Sequence, residues 1–207
     1  MGRYRTLPRQ FFRRPSEEVA PDLLGRFVVR DFEGEQLVLR IVEVEAYLGA
    51  RDRASHAWRD RRTERNESLF EAGGVAYVYF IYGMHFCLNA VTGRRDHGDA
   101  VLLRAGEPVS GAAVMIENRQ WKKTPRPGDL AGGPGKLCQA LKVDRAFDGS
   151  PLWRGDLRFT AGEPPTAGEV VTGQRIGIDY AGEAAKWPLR FAMRGNRHVS
   201  RPLPWSR

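Results

Sequence analysis

The stretch VEVEAYLG, Val42 to Gly49, sets Glu43, Glu45 and Tyr47 two positions apart. In an extended strand that spacing puts all three on one face and Val42, Val44 and Ala46 on the other. Two carboxylates beside an aromatic ring admit two readings. In one, the strand is half exposed and its polar face meets water. In the other, a carboxylate is held in a pocket against the ring and acts as a general base. A carbohydrate glycosidase using Glu43 and Glu45 is a weaker alternative, because such carboxylates face each other across a sugar instead of lining one strand.

Further along, YVYFIYGMHF (Tyr77 to Phe86) is the segment with the strongest strand character. Tyrosines on a sheet usually fill a core and reach a partner with the hydroxyl. Tyr82, Gly83 and Met84 read instead as a hairpin tip, where large apolar side chains have little core to join, and wedging between DNA bases is one use of such a tip. His56, taken singly, is a loop histidine. With His85, His97 and His198 it makes no metal-binding spacing, and Cys87 and Cys138 lie outside any CxxC pattern, so free thiols and no metal are expected. Phosphate-loop, dinucleotide and GxSxG patterns are absent, which leaves no support for a cofactor or a serine nucleophile.

The elements that must position these residues are short. Ser16 is placed to cap a helix towards Leu24, with Gly25 ending it. Phe27 to Arg30 and Leu37 to Val44 form a hairpin around FEGEQ, so VEVEAYLG is the end of a strand. ARDRASHAWRDRRTERN is too polar for a core element and long enough to be a functional loop. Val75 to Val91 folds into the aromatic hairpin, and AVLLRAGEPV offers another strand. Gly111 to Gln120 and Lys136 to Leu141 have helical composition, separated by the loop TPRPGDLAGGPG. EVVTGQRIGI and LRFAM add two short strands. The expectation is an α+β fold, a single compact domain over residues 1–207 around a curved antiparallel sheet with a protruding aromatic-tipped β-hairpin. Residues 1–15 are expected to be a loosely ordered basic arm.

With 207 residues, 42% hydrophobic content and five tryptophans, the chain can bury a sizeable core. No apolar run is long enough to span a bilayer, and the N-terminus lacks a secretory pattern, so a cytoplasmic location is expected, at the nucleoid if the source is bacterial. A net charge of +8 fits either a polyanionic partner or simple solubility. Only five lysines contribute, Lys122, Lys123, Lys136, Lys142 and Lys186. The arginine bias suits bidentate phosphate contacts, or equally a GC-rich genome.

Taken together, VEVEAYLG, the downstream His56, YVYFIYGMHFCLN, VLLRAGEP and GGPGKLCQAL resemble the alkyladenine (3-methyladenine) DNA glycosylase family, in the same order from about Leu23 to Gly195. The resemblance implies an enzyme acting on double-stranded DNA, and a single wedge with a single pocket suggests a monomer. It would flip damaged purines out of the helix and hydrolyse the N-glycosidic bond, leaving an abasic site. Carried over residue by residue, it makes Glu45 the general base and Arg104 its partner in orienting the water, with the Ile176 carbonyl as a further water ligand. Tyr47, His56 and Tyr79 become base-stacking positions, and Asn89 the residue that discourages normal guanine. Tyr82 becomes the wedge, with Met84 beside it at the tip. Glu43 is left a structural role. Lys136 is either a phosphate contact or an unpartnered lysine at a helix start. The stretch TGRRDHGD is longer and more basic than the corresponding family turn. A non-enzymatic nucleic-acid-binding module is the alternative, and it would tolerate Glu45→Gln.

Overall fold

The apolar run LVLRIV continues into VEVEAYL without a turn residue, and the strand does the same. The computed structural model describes residues 5–203. In it β1 (Phe27–Phe32) and β2 (Glu35–Leu48) form the expected hairpin, and β2 runs for 14 residues. β1 accompanies only its first half. Over Glu43 to Glu45 that edge of β2 is taken by β8 (Arg190–Met193), while β5 (Asp99–Ser110) runs along the other edge from Val38 to Leu48. The second half of β2 is therefore flanked on both edges and buried on both faces.

The remaining strands extend this frame, every pairing being antiparallel. β3 (Ala76–Ile81) and β4 (His85–Thr92) continue the sheet beyond β5, β6 (Leu157–Thr160) closes the side of β1, and β7 (Val170–Gly173) pairs with β8. β6 has no counterpart in the sequence reading. Ile81 and His85 close the β3–β4 hairpin around Tyr82 and Gly83, whose φ values of 52° and 66° are both left-handed. Met84 N–H returns to Ile81 O at 3.1 Å. Two successive positive φ angles match the right-handed twist of the strands, and glycine meets that demand at one of them.

Helices α1 (Ser16–Leu23), α2 (Ala112–Asn118) and α3 (Pro134–Ala140) are short. α1 packs on β2 and α3 on β4. Val42, Val44 and Ala46 face this side, in one core with Leu23, Leu88, Leu103 and Leu137. Each fully buried Val or Leu there contributes about 1.5–3 kcal/mol relative to exposure. Ser16 does not cap α1: its hydroxyl donates to Tyr47 O at 3.0 Å, tying the helix to the end of β2. Residues 5–15 of the basic N-terminal stretch carry a bridge from Thr6 to Thr160, a 3-10 turn over Arg9–Phe12 and buried Leu7 and Phe12; residues 1–4 lie outside the described residues. The charged loop after Gly49 is not purely polar surface, since short 3-10 turns bury Asp52, Ala54, Ala57 and Asn66.

Candidate active site

Glu43 and Glu45 are both 0% exposed, which excludes the reading of VEVEAYLG as a strand with a wetted polar face. A fully buried carboxylate is costly unless paired, so each partner matters. The partners come from an irregularity between β2 and β5: Glu43 pairs with Ala105 and Val44 with Leu103, and Arg104 is passed over. Such bulges re-aim a side chain. Arg104 Nε donates to Glu43 Oε1 at 2.9 Å, while its Nη1 lies 3.3 Å from Glu45 Oε1. Burial disfavours its charge, but the pull of Glu45 and Glu43 together prevails and keeps the guanidinium protonated.

The two carboxylates are engaged differently. Glu43 Oε1 also accepts from Arg190 Nε at 2.7 Å and Ser200 Oγ at 2.9 Å, and Oε2 accepts from Ser200 N at 2.7 Å. Glu45 Oε1 accepts from Ile176 N at 2.8 Å, and among the described residues Oε2 accepts from Tyr47 OH at 2.9 Å alone. A carboxylate oxygen has two acceptor sites, so Oε2 of Glu45 keeps one free. Burial, and then the nearby Glu45 carboxylate, hold the Tyr47 phenol well above its ordinary value, so it remains a donor.

Tyr47, Arg104 and Ile176, which contact Glu45, line a cavity of about 740 Å³ in which Glu45 itself is not a wall residue, within the roughly 300–1,000 Å³ of sites that engulf a small organic ligand. Tyr47, His56 and Tyr79 supply aromatic wall, and Arg104, Asn89 and Ile176 line it as well. Cross-strand pairing of Tyr79 with Cys87 and Tyr77 with Asn89 sets the far wall. The His56 ring lies 4.6 Å from that of Tyr79, and its Nδ1 is 2.7 Å from Tyr77 OH. Loss of water, then Arg65 and Arg61, hold this imidazole below its usual range, which favours the neutral ring. Asn89 is fixed by its Nδ2, which donates to Tyr77 O at 3.0 Å. Burial pushes the Cys87 thiol up to about 11, so it stays protonated.

The other expected contact residues lie around the mouth. Tyr82 is on the cavity rim and 83% exposed, and Met84 beside it is 64% exposed but does not line the cavity. Lys136 stands at the start of α3 with Nζ 3.5 Å from Gly128 O, so it is not without a partner. Ile176 meets Glu45 through its amide N–H, a contact additional to the carbonyl role the resemblance implies. Among the described residues no group of three or more His, Cys, Asp or Glu is placed to hold a metal, and no helix is long and apolar enough to cross a membrane.

Sequence reasoning missed the second half of the support. Arg175 and Asp52, both 0% exposed in their side chains, form a bidentate ion pair, Nη2 to Oδ1 being 2.9 Å. Arg175 also donates to Ala46 O at 2.9 Å and Ala184 O at 3.1 Å, and lies 4.7 Å over the Tyr47 ring. Its neighbour in sequence is Ile176. Among the described residues the buried charged side chains are Glu43, Glu45 and Asp52 against Arg104, Arg175 and Arg190, three acids with three bases. Glu43 and Glu45 stood out in the sequence; Asp52, Arg175 and Arg190 carry no local signature in so highly charged a chain.

Known proteins match this chain over nearly its whole length. A relative from Methanocella arvoryzae, with the provisional name 3-methyladenine DNA glycosylase, is 45% identical over 199 residues, covering 96% of this chain and 97% of its own. Relatives of the same name from Clostridium botulinum and Natranaerobius thermophilus are 43% and 40% identical, covering 94% and 92% of this chain and 98% and 96% of theirs. The family model described as methylpurine-DNA glycosylase (MPG) matches residues 10–197, a span that holds Glu45, Arg104 and the cavity walls. The chain therefore belongs to the methylpurine-DNA glycosylase family, hydrolases of N-glycosyl bonds in DNA.

Proposed function

We propose that this protein removes alkylated or deaminated purines from duplex DNA with a water activated by Glu45, leaving an abasic site. The observation that carries this reading is a buried carboxylate with one free acceptor site, set behind an aromatic cavity large enough for a purine. The target atom is inaccessible within stacked DNA, so the nucleotide must swing out to enter the cavity. Tyr82 at the exposed tip would fill the space it leaves, with Met84 alongside. The extruded base would lie between Tyr47 and the His56–Tyr79 pair, and electron-poor, cationic rings gain most from such walls. A neutral His56 avoids repelling a cationic base. Glu45 takes one proton from water, the water oxygen bonds to the anomeric carbon, and the electron pair of the breaking C–N bond leaves with the base. Arg104 faces the same carboxylate oxygen that Ile176 N–H holds, which fixes Glu45 for the attack.

Asn89 presents a fixed amide where the exocyclic amino group of guanine would arrive, which discourages the normal base. No lysine is among the described residues lining the cavity, so a Schiff-base lyase step has no amine at hand. One wedge and one cavity per chain suit a monomer. Lys136, which makes a long contact to Gly128 O and lies near Asp129, would meet a DNA phosphate. The test is single-turnover release of base from a duplex with one hypoxanthine, ethenoadenine or 7-methylguanine. Glu45→Gln should bind the lesion and release none; unimpaired release by that variant overturns the mechanism.

A further inference from the structure

We infer that Arg190 is a positioning residue for Glu45: by giving Glu43 a cation of its own, it leaves Arg104 able to face the catalytic carboxylate. This rests on the reading of Glu45 as general base. One guanidinium, Arg104, stands between two carboxylates, with Nε on Glu43 at 2.9 Å and Nη1 on Glu45 at 3.3 Å. With Arg104 alone the pocket would hold two buried negative charges and one positive, and like charges sharing a site push one carboxylate towards protonation. Arg190 supplies the missing charge. It stands on β8 opposite Glu45 in register, yet its Nε reaches Glu43 Oε1 at 2.7 Å. The direction is imposed by Ser200 O and Pro202 O, which accept from Nη2 at 3.2 and 2.8 Å. Ser200 then closes the cluster through its N–H and hydroxyl on Glu43, and its Oγ accepts from Arg104 Nη2 at 3.3 Å.

The groups facing Glu45 from the other elements leave this balance intact. Tyr47 donates to it, Tyr79 and Cys87 stand across the cavity as protonated groups, and Asp52 is matched by Arg175 behind Tyr47. A segment beyond the aromatic cavity, residues 200–202, thus acts on the base through two arginines and touches no substrate.

The experiment is the pH dependence, from pH 5 to 9, of single-turnover release from a duplex with one 7-methylguanine, a cationic base that departs without being protonated. Wild type is compared with Arg190→Gln, Glu43→Gln and the double variant. Arg190→Gln leaves the cluster one negative charge in excess, so its acidic limb should move up by about one unit or more, a loss of roughly tenfold on that limb. Glu43→Gln reverses the imbalance and should move the limb down. The double variant restores neutrality and should return the limb to within a few tenths of a unit of wild type. A role in packing alone would lower the plateau, leave the limb in place and make the double variant the worst, and that pattern overturns the inference. Should Arg190→Gln fail to fold, Glu43→Gln and the double variant decide by the same shifts. Full release by Glu45→Gln would overturn the underlying function; a dead Glu45→Gln with an immobile limb in the other variants would overturn this inference alone.

Discussion

Removing the guanidinium of Arg175 should destabilise this protein more than removing any exposed charge. Arg175→Met keeps the aliphatic stem but strips Asp52, a 0% exposed carboxylate, of its cation, and deprives Ala46 O and Ala184 O of their donor. Breaking one side of a buried ion pair costs about 3–5 kcal/mol. For a domain of this length each kcal/mol moves Tm by about 2–4 °C, so a fall of about 6–20 °C is expected. Asp52→Asn on the Arg175→Met background removes the orphaned charge, and Asn can still accept from Leu48 N–H or Ala54 N–H in place of the carboxylate. The double variant should therefore unfold above the Arg175→Met single. Thermal unfolding at pH 7.5, followed by calorimetry, is measured for wild type, Arg175→Met, Asp52→Asn and the double variant. Arg175→Met melting within about 2 °C of wild type, or a double variant losing the sum of the two singles, would refute the pair as the brace of this loop. At temperatures well below Tm the same variant should also release base more slowly, because Ile176, the donor to Glu45, follows Arg175 in the chain.

Tyr82→Ala removes a side chain that is 83% exposed, so stability should change by no more than about 0.5 kcal/mol. Lesion-duplex affinity should fall by about 5–150-fold, the equivalent of the roughly 1–3 kcal/mol that an aromatic ring gains on a base; unchanged affinity in a binding titration would remove Tyr82 from the interface. Asn89→Ala should release guanine from undamaged DNA at a rate above wild type, and chromatography of the freed bases would show whether it does. Burial, then the Glu17 carboxylate, push Asp99 up to about 6. A raised carboxyl favours folding below its unfolded value near 4, and that contribution is lost as pH rises through 6. Asp99→Asn should accordingly stabilise the protein at pH 8 by about 1–2 kcal/mol, allowing for its partial exposure, and by almost nothing at pH 4; denaturant unfolding at the two pH values measures the difference.

The parts of this structure that were legible in the sequence are those fixed by local pattern. Alternation in VEVEAYLG assigned Glu43, Glu45 and Tyr47 to one face, and Tyr82-Gly83-Met84 marked the turn between β3 and β4. The extents of α2 and α3 and the strand in LRFAM were also close, whereas the strand expected over EVVTGQRIGI ends at Gly173. What was not legible depends on contacts distant in sequence. Arg104 reaches Glu43 across a bulge in β5, which no residue pattern announces. Ser16 looks like a cap because serine usually is one, but Tyr47 O, 31 residues away, competes for its hydroxyl. Arg190 and Arg175 meet their acids 147 and 123 residues away, so their roles exist only once β8 lies beside β2 and the Ile176 segment folds over Tyr47.

A chain with a net charge of +8 and an acidic strand at its centre presents no contradiction once depth is considered. Among the described residues three buried acids meet three buried arginines, so their interior is neutral and the positive excess lies elsewhere on the molecule. That separation has a physical consequence for the two tasks of the site. Exposed arginines would act on the DNA backbone over a distance that salt shortens to about 8–10 Å. Glu45 is held instead by groups within 3.3 Å, namely Arg104, Ile176 N–H and Tyr47 OH, with Arg190 paired to Glu43 beside them. On the proposed mechanism, capture of the polyanion and activation of water would thereby fall to different charges at different depths, and a strongly basic exterior could gather DNA without altering the carboxylate proposed as the base.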